Sequence, residues 1–376
     1  MTESNESMNI ASEPTPYLEV SDPSVMAKNP VVSVLMITYN HDRYIAQAIE
    51  GVLQQKTSFP IELIIGEDCS TDGTREIVFN YQQKYPDIIH VLASINNVGF
   101  RMNGERVRMA CRGKYIAFCE GDDYWHNPNK IQKQIEQMEL YPEVGLIHSD
   151  VDRYYIGKKF REPSYHKGRR LLYKYDNVLY GMIANEYIVD TCTAVVRSNM
   201  LNNIINECKF EFSDEFMMGD VQMWIEIAFR SKVKYIDESF AVHNILEESA
   251  SNSKDIDKSI KFIKNHKKIL LHYANKYGGG KTENLKKNIV SYFNSILSTF
   301  AYKTRNYELG REILEDFKKN GVPLGPTNYI FLVSTKNNVS SKMIRCSIPF
   351  ILLFLSLLKK SKMFWLIRDR IIHRST

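Results

Sequence analysis

The six cysteines, at positions 69, 111, 119, 192, 208 and 346, include no CxxC pair. That argues against zinc-ribbon and dithiol redox classes. No GxGxxG follows the first apolar run, and no GxxxxGK[ST] occurs anywhere. The usual dinucleotide and P-loop devices, which cradle phosphates on backbone amides, are therefore absent. No apolar run reaches the roughly twenty residues that a membrane-spanning helix needs; Ser347–Leu358 stops at twelve. The first residues are acidic and polar where a signal peptide would carry an apolar core. With unpaired thiols, this reads as a protein of a reducing cytosol. Excess positive charge is also missing from the body of the chain. Of the net +5, residues 341–376 hold eight Lys/Arg against one acid, which leaves the remainder slightly acidic. A nucleic-acid-binding face is excluded on that distribution.

What is present is alternation. Residues 1–29, rich in Ser, Asn, Glu and Pro and without an apolar period, read as a disordered leader. From Val31 the pattern is strand (Val31–Ile37), helix (Tyr44–Gln55), strand (Ile61–Cys69), helix (Thr74–Tyr85), strand (Ile88–Ala93), helix (Gly104–Cys111) and strand (Tyr115–Glu120). The strands are near-continuous apolar runs, as expected of a mostly parallel sheet covered on both faces. A helix with Asn127 as N-cap and Pro128 at N1 runs to about Leu140. A strand at Val144–His148, a helix at Asp220–Phe229 and a strand at Val233–Ile236 follow. Residues 152–180 are basic and aromatic, without a clear period. The expected organisation is an α/β domain over 30–254, a helical accessory region over 255–345 broken at Gly278–Gly280, and a tail over 346–376. The apolar stretch of that tail, flanked by Arg345 and Lys359–Lys360 and followed by Trp365, fits a helix lying in a membrane interface against anionic headgroups.

Ligands of parallel sheets bind beyond the carboxyl ends of the strands. The residues there are Thr38-Tyr39-Asn40, Asp68-Cys69-Ser70, Asn96-Asn97-Val98-Gly99 and Glu120-Gly121-Asp122-Asp123. Three carboxylates in four positions repel one another, and a divalent cation removes that penalty. Mg²⁺ or Mn²⁺ takes one or two protein carboxylates and leaves substrate phosphates to complete its shell. A solvated acidic turn is the bland alternative, weakened by its placement immediately after the apolar run Tyr115–Cys119. Asp68, at the end of an apolar strand, can accept hydrogen bonds from a base or a ribose; Asp72 and Gly73 are explained by turn chemistry.

These segments resemble the ordered motifs of the family 2 glycosyltransferases: Val32–Asn40, Gly66–Thr74, Asn97-Val98-Gly99 and Glu120–Trp125. The resemblance covers about Val31 to Ser253 and implies a GT-A-type three-layer sandwich and an inverting transfer of a sugar from a nucleotide-diphosphate sugar. It implies that Tyr39 stacks on the donor base, that Asp68 hydrogen-bonds it, and that Thr38 and Asn97 belong to the donor site. It further implies Glu120 at the ribose, Asp122 as the ligand of Mn²⁺ or Mg²⁺, and Asp123 as a supporting carboxylate. The family's general base is an Asp at the start of a downstream helix, and Asp220 in Met218–Trp224 matches it. A carboxylate there can be held in place while it accepts a hydroxyl proton. Trp224, one turn later, becomes a candidate platform for the acceptor sugar.

Three departures stand out. Glu120 replaces the family's Asp, Ile37 stands where Pro is common, and Leu246 occupies the position of a family His, with His243 where a Tyr would be. No His ligand is therefore carried over. The expected activity is metal-dependent transfer, UDP-sugar favoured, to a glycan or lipid-linked acceptor at the inner membrane surface. The rivals are a sugar-phosphate nucleotidyltransferase, which would want a Gly- and Arg-rich loop where Thr38–Asp42 stands, and a membrane-apposed nucleotide-binding scaffold without catalysis.

Overall fold

The structure, a computed structural model, describes residues 16–21, 24–26, 28–169, 177–248, 253–325 and 328. The chain divides into two compact units, 1–252 and 253–376. The expected membrane-interface tail over 346–376 lies outside the described residues. Among those that are described, no helix is long and apolar enough to cross a membrane.

The first unit opens with β1 (Tyr17–Val20), β2 (Val32–Thr38), α1 (Ile45–Leu53), β3 (Ile61–Glu67), α2 (Thr74–Lys84), β4 (Ile89–Ser94), α3 (Gly99–Ala110) and β5 (Tyr115–Phe118). It continues through β6 (Tyr124–Trp125), α4 (Lys130–Leu140), β7 (Val144–Tyr155), β8 (Phe160–Glu162), α5 (Tyr165–Arg169) and α6 (Val178–Ile183). It ends with β9 (Val195–Arg197), α7 (Ser198–Glu207), α8 (Asp220–Arg230) and β10 (Lys232–Ile245). All described strands join one sheet in the order β1-β4-β3-β2-β5-β9-β7-β10-β6, with β8 on the side of β7. Strands β4, β3, β2 and β5 run parallel, as do β7 and β10, while β1, β6, β8 and β9 are antiparallel to their neighbours. Val32, Val34 and Met36 of β2, Leu63 and Ile65 of β3, and Tyr115 and Ala117 of β5 share a core with Ile45, Ala48, Ile49 and Val52 of α1.

Several expected boundaries move. Residues 17–20, inside the stretch read as a disordered leader, form β1 and pair antiparallel with β4 from Tyr17↔Ser94 to Val20↔Val91. Three of these four residues are exposed; an edge strand held by backbone bonds needs no apolar period, so composition could not reveal it. Helix α3 starts at Gly99, five residues before the expected Gly104. Helix α4 starts at Lys130, so Asn127 does not cap it; the Asn127 side chain instead accepts from Asn129 N at 2.9 Å. Strands β7 and β10 are far longer than Val144–His148 and Val233–Ile236, because they pair with each other along nearly their whole length. The stretch 152–180 resolves into the end of β7, β8, α5 and α6, with 170–176 outside the described residues.

In the second unit, α9 (Ile256–Tyr277), α10 (Thr282–Thr304) and α11 (Tyr307–Lys319) pack around Ile260, Val290, Leu297, Ala301, Ile313 and Phe317. Asp255 caps α9, its carboxylate accepting from the amides of Asp257 and Lys258, and Asn306 caps α11 through Leu309 N at 2.9 Å. The Gly278–Gly280 break falls between α9 and α10, where Gly279 takes φ +52.

Candidate active site

The chain leaves β2 toward β3 and β4 on one side of the sheet, whereas β5 lies on the other. The carboxyl ends of β2 and β5 therefore flank the switch point at which such sheets bind ligands. Register Val32↔Tyr115 to Leu35↔Phe118 brings Thr38 and the acidic run to that same place. Gly121 N donates to Ile37 O at 2.9 Å. A Cβ on Gly121 would lie 2.6 Å from Thr38 Oγ1 and 2.7 Å from Thr38 Cβ. The run thus lies directly on the end of β2, an approach open to glycine alone. Thr38 is buried and branched at Cβ, so it cannot swing aside. We expect Gly121→Ala to destabilise the protein by about 1–3 kcal/mol through overpacking, read as a lower urea midpoint at unchanged slope.

The three carboxylates face different surroundings. Asp123 is buried and accepts from Asn244 N at 2.8 Å, and the side-chain Nδ2 of Asn244 donates to Asp122 O at 2.5 Å. Pairing of β6 with β10 makes these bonds possible, since it seats Trp125 opposite Ala241. Glu120 Oε2 is buried without a hydrogen-bond partner among the described residues. Burial, followed by the charges of Asp123 and Asp122, pushes the Glu120 carboxyl up to about 8. Burial likewise raises Asp123 to about 7, against the opposing pull of His243. Asp122 differs: its side chain is 24% exposed and stands 3.9 Å from His41 Nε2. Its oxygens are thus partly open to solvent, whereas Asp123 is buried.

The neighbouring loops are tied to one another. Asp68 accepts from Val98 N at 2.9 Å and Gly99 N at 2.8 Å, while Asn97 Nδ2 donates to Asp68 O at 3.1 Å. Both Asp68 oxygens therefore fix the start of α3 first; a base could use only their second lone pairs. Asn40, at φ +56, accepts from Thr71 N at 2.8 Å and donates its own N–H to Ser70 Oγ at 3.1 Å. Between these braced loops Tyr39 keeps its ring 42% exposed. Thr38 lies below, its hydroxyl 3.2 Å from His41 Nδ1.

Asp220 opens α8. Burial raises its carboxyl above the ordinary Asp range, and its charge adds the last and smallest contribution to the rise of Glu120. Asp220 itself is half-buried at the start of this helix. Trp224 does not open to solvent. It is 4% exposed and meets Phe118 edge-on at 5.5 Å. This corrects the expected acceptor platform: Trp224 shares the buried face of α8 with Ile225 and Ile227 and packs toward the sheet.

One cluster escaped the sequence reading. Asp190, 3% exposed, receives His166 Nε2 at 2.6 Å, His243 Nδ1 at 2.9 Å and Arg153 Nη2 at 3.2 Å. Burial alone would raise Asp190, but the bonds to His166 and His243 and the nearby positive charges hold it well below the usual carboxylate range. Burial would lower His243, yet Asp123 and Asp190 lift it to about 9. His243 therefore stands as a positive group between Asp190 and the acidic run. Its partners lie far apart in the chain, and no local spacing announces them.

Residues 33–202 match the Glycosyl transferase family 2 profile. TuaG of Bacillus subtilis, a glycosyltransferase provisionally assigned to teichuronic acid biosynthesis, is 40% identical over 110 residues, 29% of this chain and 42% of that protein. The aligned stretches span 35–42% of the length of such curated relatives. A mannosyltransferase from Pyrobaculum calidifontis, solved with GDP-Man and Mn²⁺, superposes with TM-score 0.51 at 13% identity over 90% of this chain and 84% of its own. S. aureus TarS, residues 1–349 with UDP-GlcNAc, gives TM-score 0.50 at 15% identity, covering 77% and 88%. At these identities the likeness to the solved proteins is one of fold.

Proposed function

Starting from the family 2 glycosyltransferase domain that residues 33–202 form on a GT-A fold, we propose that this chain moves a sugar from a nucleoside-diphosphate sugar to an acceptor hydroxyl with inversion. The observation that carries the reading is the acidic run seated on the end of β2 at the switch point of the sheet, with Asp220 at the start of α8 as the proposed base. Tyr39 offers an exposed ring for the donor base, and Asp68 with Asn97 holds the loop beside it. Asp220 takes the proton from the acceptor hydroxyl, whose oxygen attacks the anomeric carbon on the face opposite the diphosphate. Inversion follows, because a single displacement has no covalent intermediate.

Mn²⁺ or Mg²⁺ fits the donor set. Among the described residues no three His, Cys, Asp or Glu side chains gather to hold a cation, so an ion here would have to take most of its ligands from phosphates and water. Asp122 would hold it, and when bound it would neutralise charge developing on the leaving diphosphate. Glu120, half-buried with one buried, unpartnered oxygen, faces the ribose side of this site in our reading. Donors bound by proteins of the same fold include UDP-GlcNAc and GDP-Man; we favour a UDP-sugar. We further propose a surface glycan or its lipid-linked precursor as acceptor, with the basic, apolar residues 346–376 resting on the inner membrane surface.

A thermal-shift series of UDP-, GDP- and dTDP-sugars with and without Mn²⁺ tests this reading. A donor at a hundred times its Kd should stabilise the folded protein by about 2.7 kcal/mol, which raises Tm by roughly 5–10 °C for a unit of this size. The shift should require the cation. If no nucleotide sugar shifts Tm and none is turned over, the reading is wrong.

A further inference from the structure

The start of α3 is tied to two loops. Its first amides hold the Asp68 carboxylate, as described above. Within the same turn Arg101 extends a guanidinium to the segment that precedes Asp220. Arg101 Nη1 donates to the carbonyl of Ser213 at 2.9 Å and to that of Phe212. Nη2 donates to the carbonyl of Phe216 and reaches that of Met218 at 3.5 Å. The Asp214 carboxylate lies 4.0 Å from Nε. Residues 208–219 contain neither helix nor strand, so their position depends on bonds of this kind. Gln222 adds a further bond, from Nε2 to Met218 O at 2.6 Å.

From this geometry we infer that Arg101 is a positioning residue for Asp220. It gathers the 212–218 segment onto α3 and so fixes where α8, and Asp220 with it, begins. The donor-side carboxylate and the base-side segment are thereby fixed to one helical turn. The inference rests on Asp220 acting as the base. Arg101 suits the task because a guanidinium presents five N–H donors in a rigid plane, whereas a lysine ammonium is a compact point charge on a flexible stem. Its bonds go to backbone carbonyls, so the tie works whatever side chains the segment carries.

The test uses Arg101→Ala and Arg101→Lys in the full chain, with hydrogen exchange and steady-state kinetics. For Arg101→Ala we expect amide exchange over residues 210–220 to accelerate at least about tenfold, with β2, β3 and β5 unchanged. We expect kcat to fall about 10²-fold, the scale of a one-ångström misplacement, and donor KM to stay within about twofold. Arg101→Lys should recover only a small part of kcat, and it serves as the measured variant if the alanine variant does not fold. Unchanged exchange overturns the inference. So does accelerated exchange with kcat near wild type, or a joint collapse of donor KM, kcat and Tm, which would mark a merely structural arginine. If Asp220→Asn leaves transfer intact, the functional reading fails instead, and the exchange data still decide whether Arg101 clamps the segment.

Discussion

Replacing Asp220 by asparagine is expected to cut sugar transfer by about 10²–10⁴-fold, the range a positioned general base supplies. Donor binding should stay nearly unchanged, because the groups proposed to hold the nucleotide, Tyr39, Asp68 and Asn97, are braced independently of α8. The pH profile sharpens the test. Burial raises the Asp220 carboxyl above the ordinary Asp range, and the base works deprotonated. Wild-type kcat/KM should therefore climb with pH through an apparent pKa above 3.8, and the asparagine variant should lose that limb. Stability should move the other way. A carboxyl whose folded pKa is raised favours the folded state at low pH, and that contribution is lost as pH rises from its unfolded value through its folded one. Wherever Asp220 is ionised its charge is thus a burden on the fold, and Asp220→Asn should melt at or above the wild-type temperature. A variant that keeps near-normal transfer, or that loses activity by melting early, would remove Asp220 from the mechanism.

Features whose cause is local were legible before the fold was known. Strands β2, β3 and β5 announced themselves because a parallel strand buried on both faces must be apolar throughout, as Val34–Met36 and Leu63–Ile65 are. The acidic run stood out because like charges at the end of such a strand need a reason. The helix that begins at Asp220 was legible from its apolar period, whereas the role proposed for Asp220 came from the resemblance to the family. Features whose cause is distant were not legible. Strand β1 owes its place to backbone bonds with β4, which its exposed side chains do not encode. The periodicity of α8 shows that Trp224 lies on one face but not whether that face meets solvent or Phe118. The Asp190 cluster joins four residues from separate elements, and it exists only because β7 and β10 pair over their length. Asp68 is intermediate: its position was legible, but its first partners, the amides of Val98 and Gly99, depend on α3 starting earlier than its apolar pattern suggested.

Asp122→Asn should separate the cation from the rest of the site. Losing a single preorganised charge-stabilising group costs about 10²–10³-fold in kcat, and we expect a loss of at least that size, because Asp122, its oxygens partly open to solvent, is the proposed ligand of the cation. The sharper reading comes from stability measured against pH. Without a cation, Glu120 and Asp123 are raised to about 8 and about 7, chiefly by burial. Between the unfolded carboxylate range and those values, the folded state binds more protons than the unfolded one. Its stability should therefore decline as pH rises from about 4 toward 8. A divalent ion favours ionised carboxylates, so stabilisation by Mn²⁺ should grow across the same window and be larger at pH 8 than at pH 6. In Asp122→Asn the decline with pH should persist, because Glu120 and Asp123 remain, but the Mn²⁺ gain should vanish. Retention of the full Mn²⁺ shift by that variant would place the ion on other groups of this cleft, with Asp123 and His243 the first to examine. The proposed division of the run, Asp122 for the cation with Glu120 and Asp123 behind it, would then be abandoned.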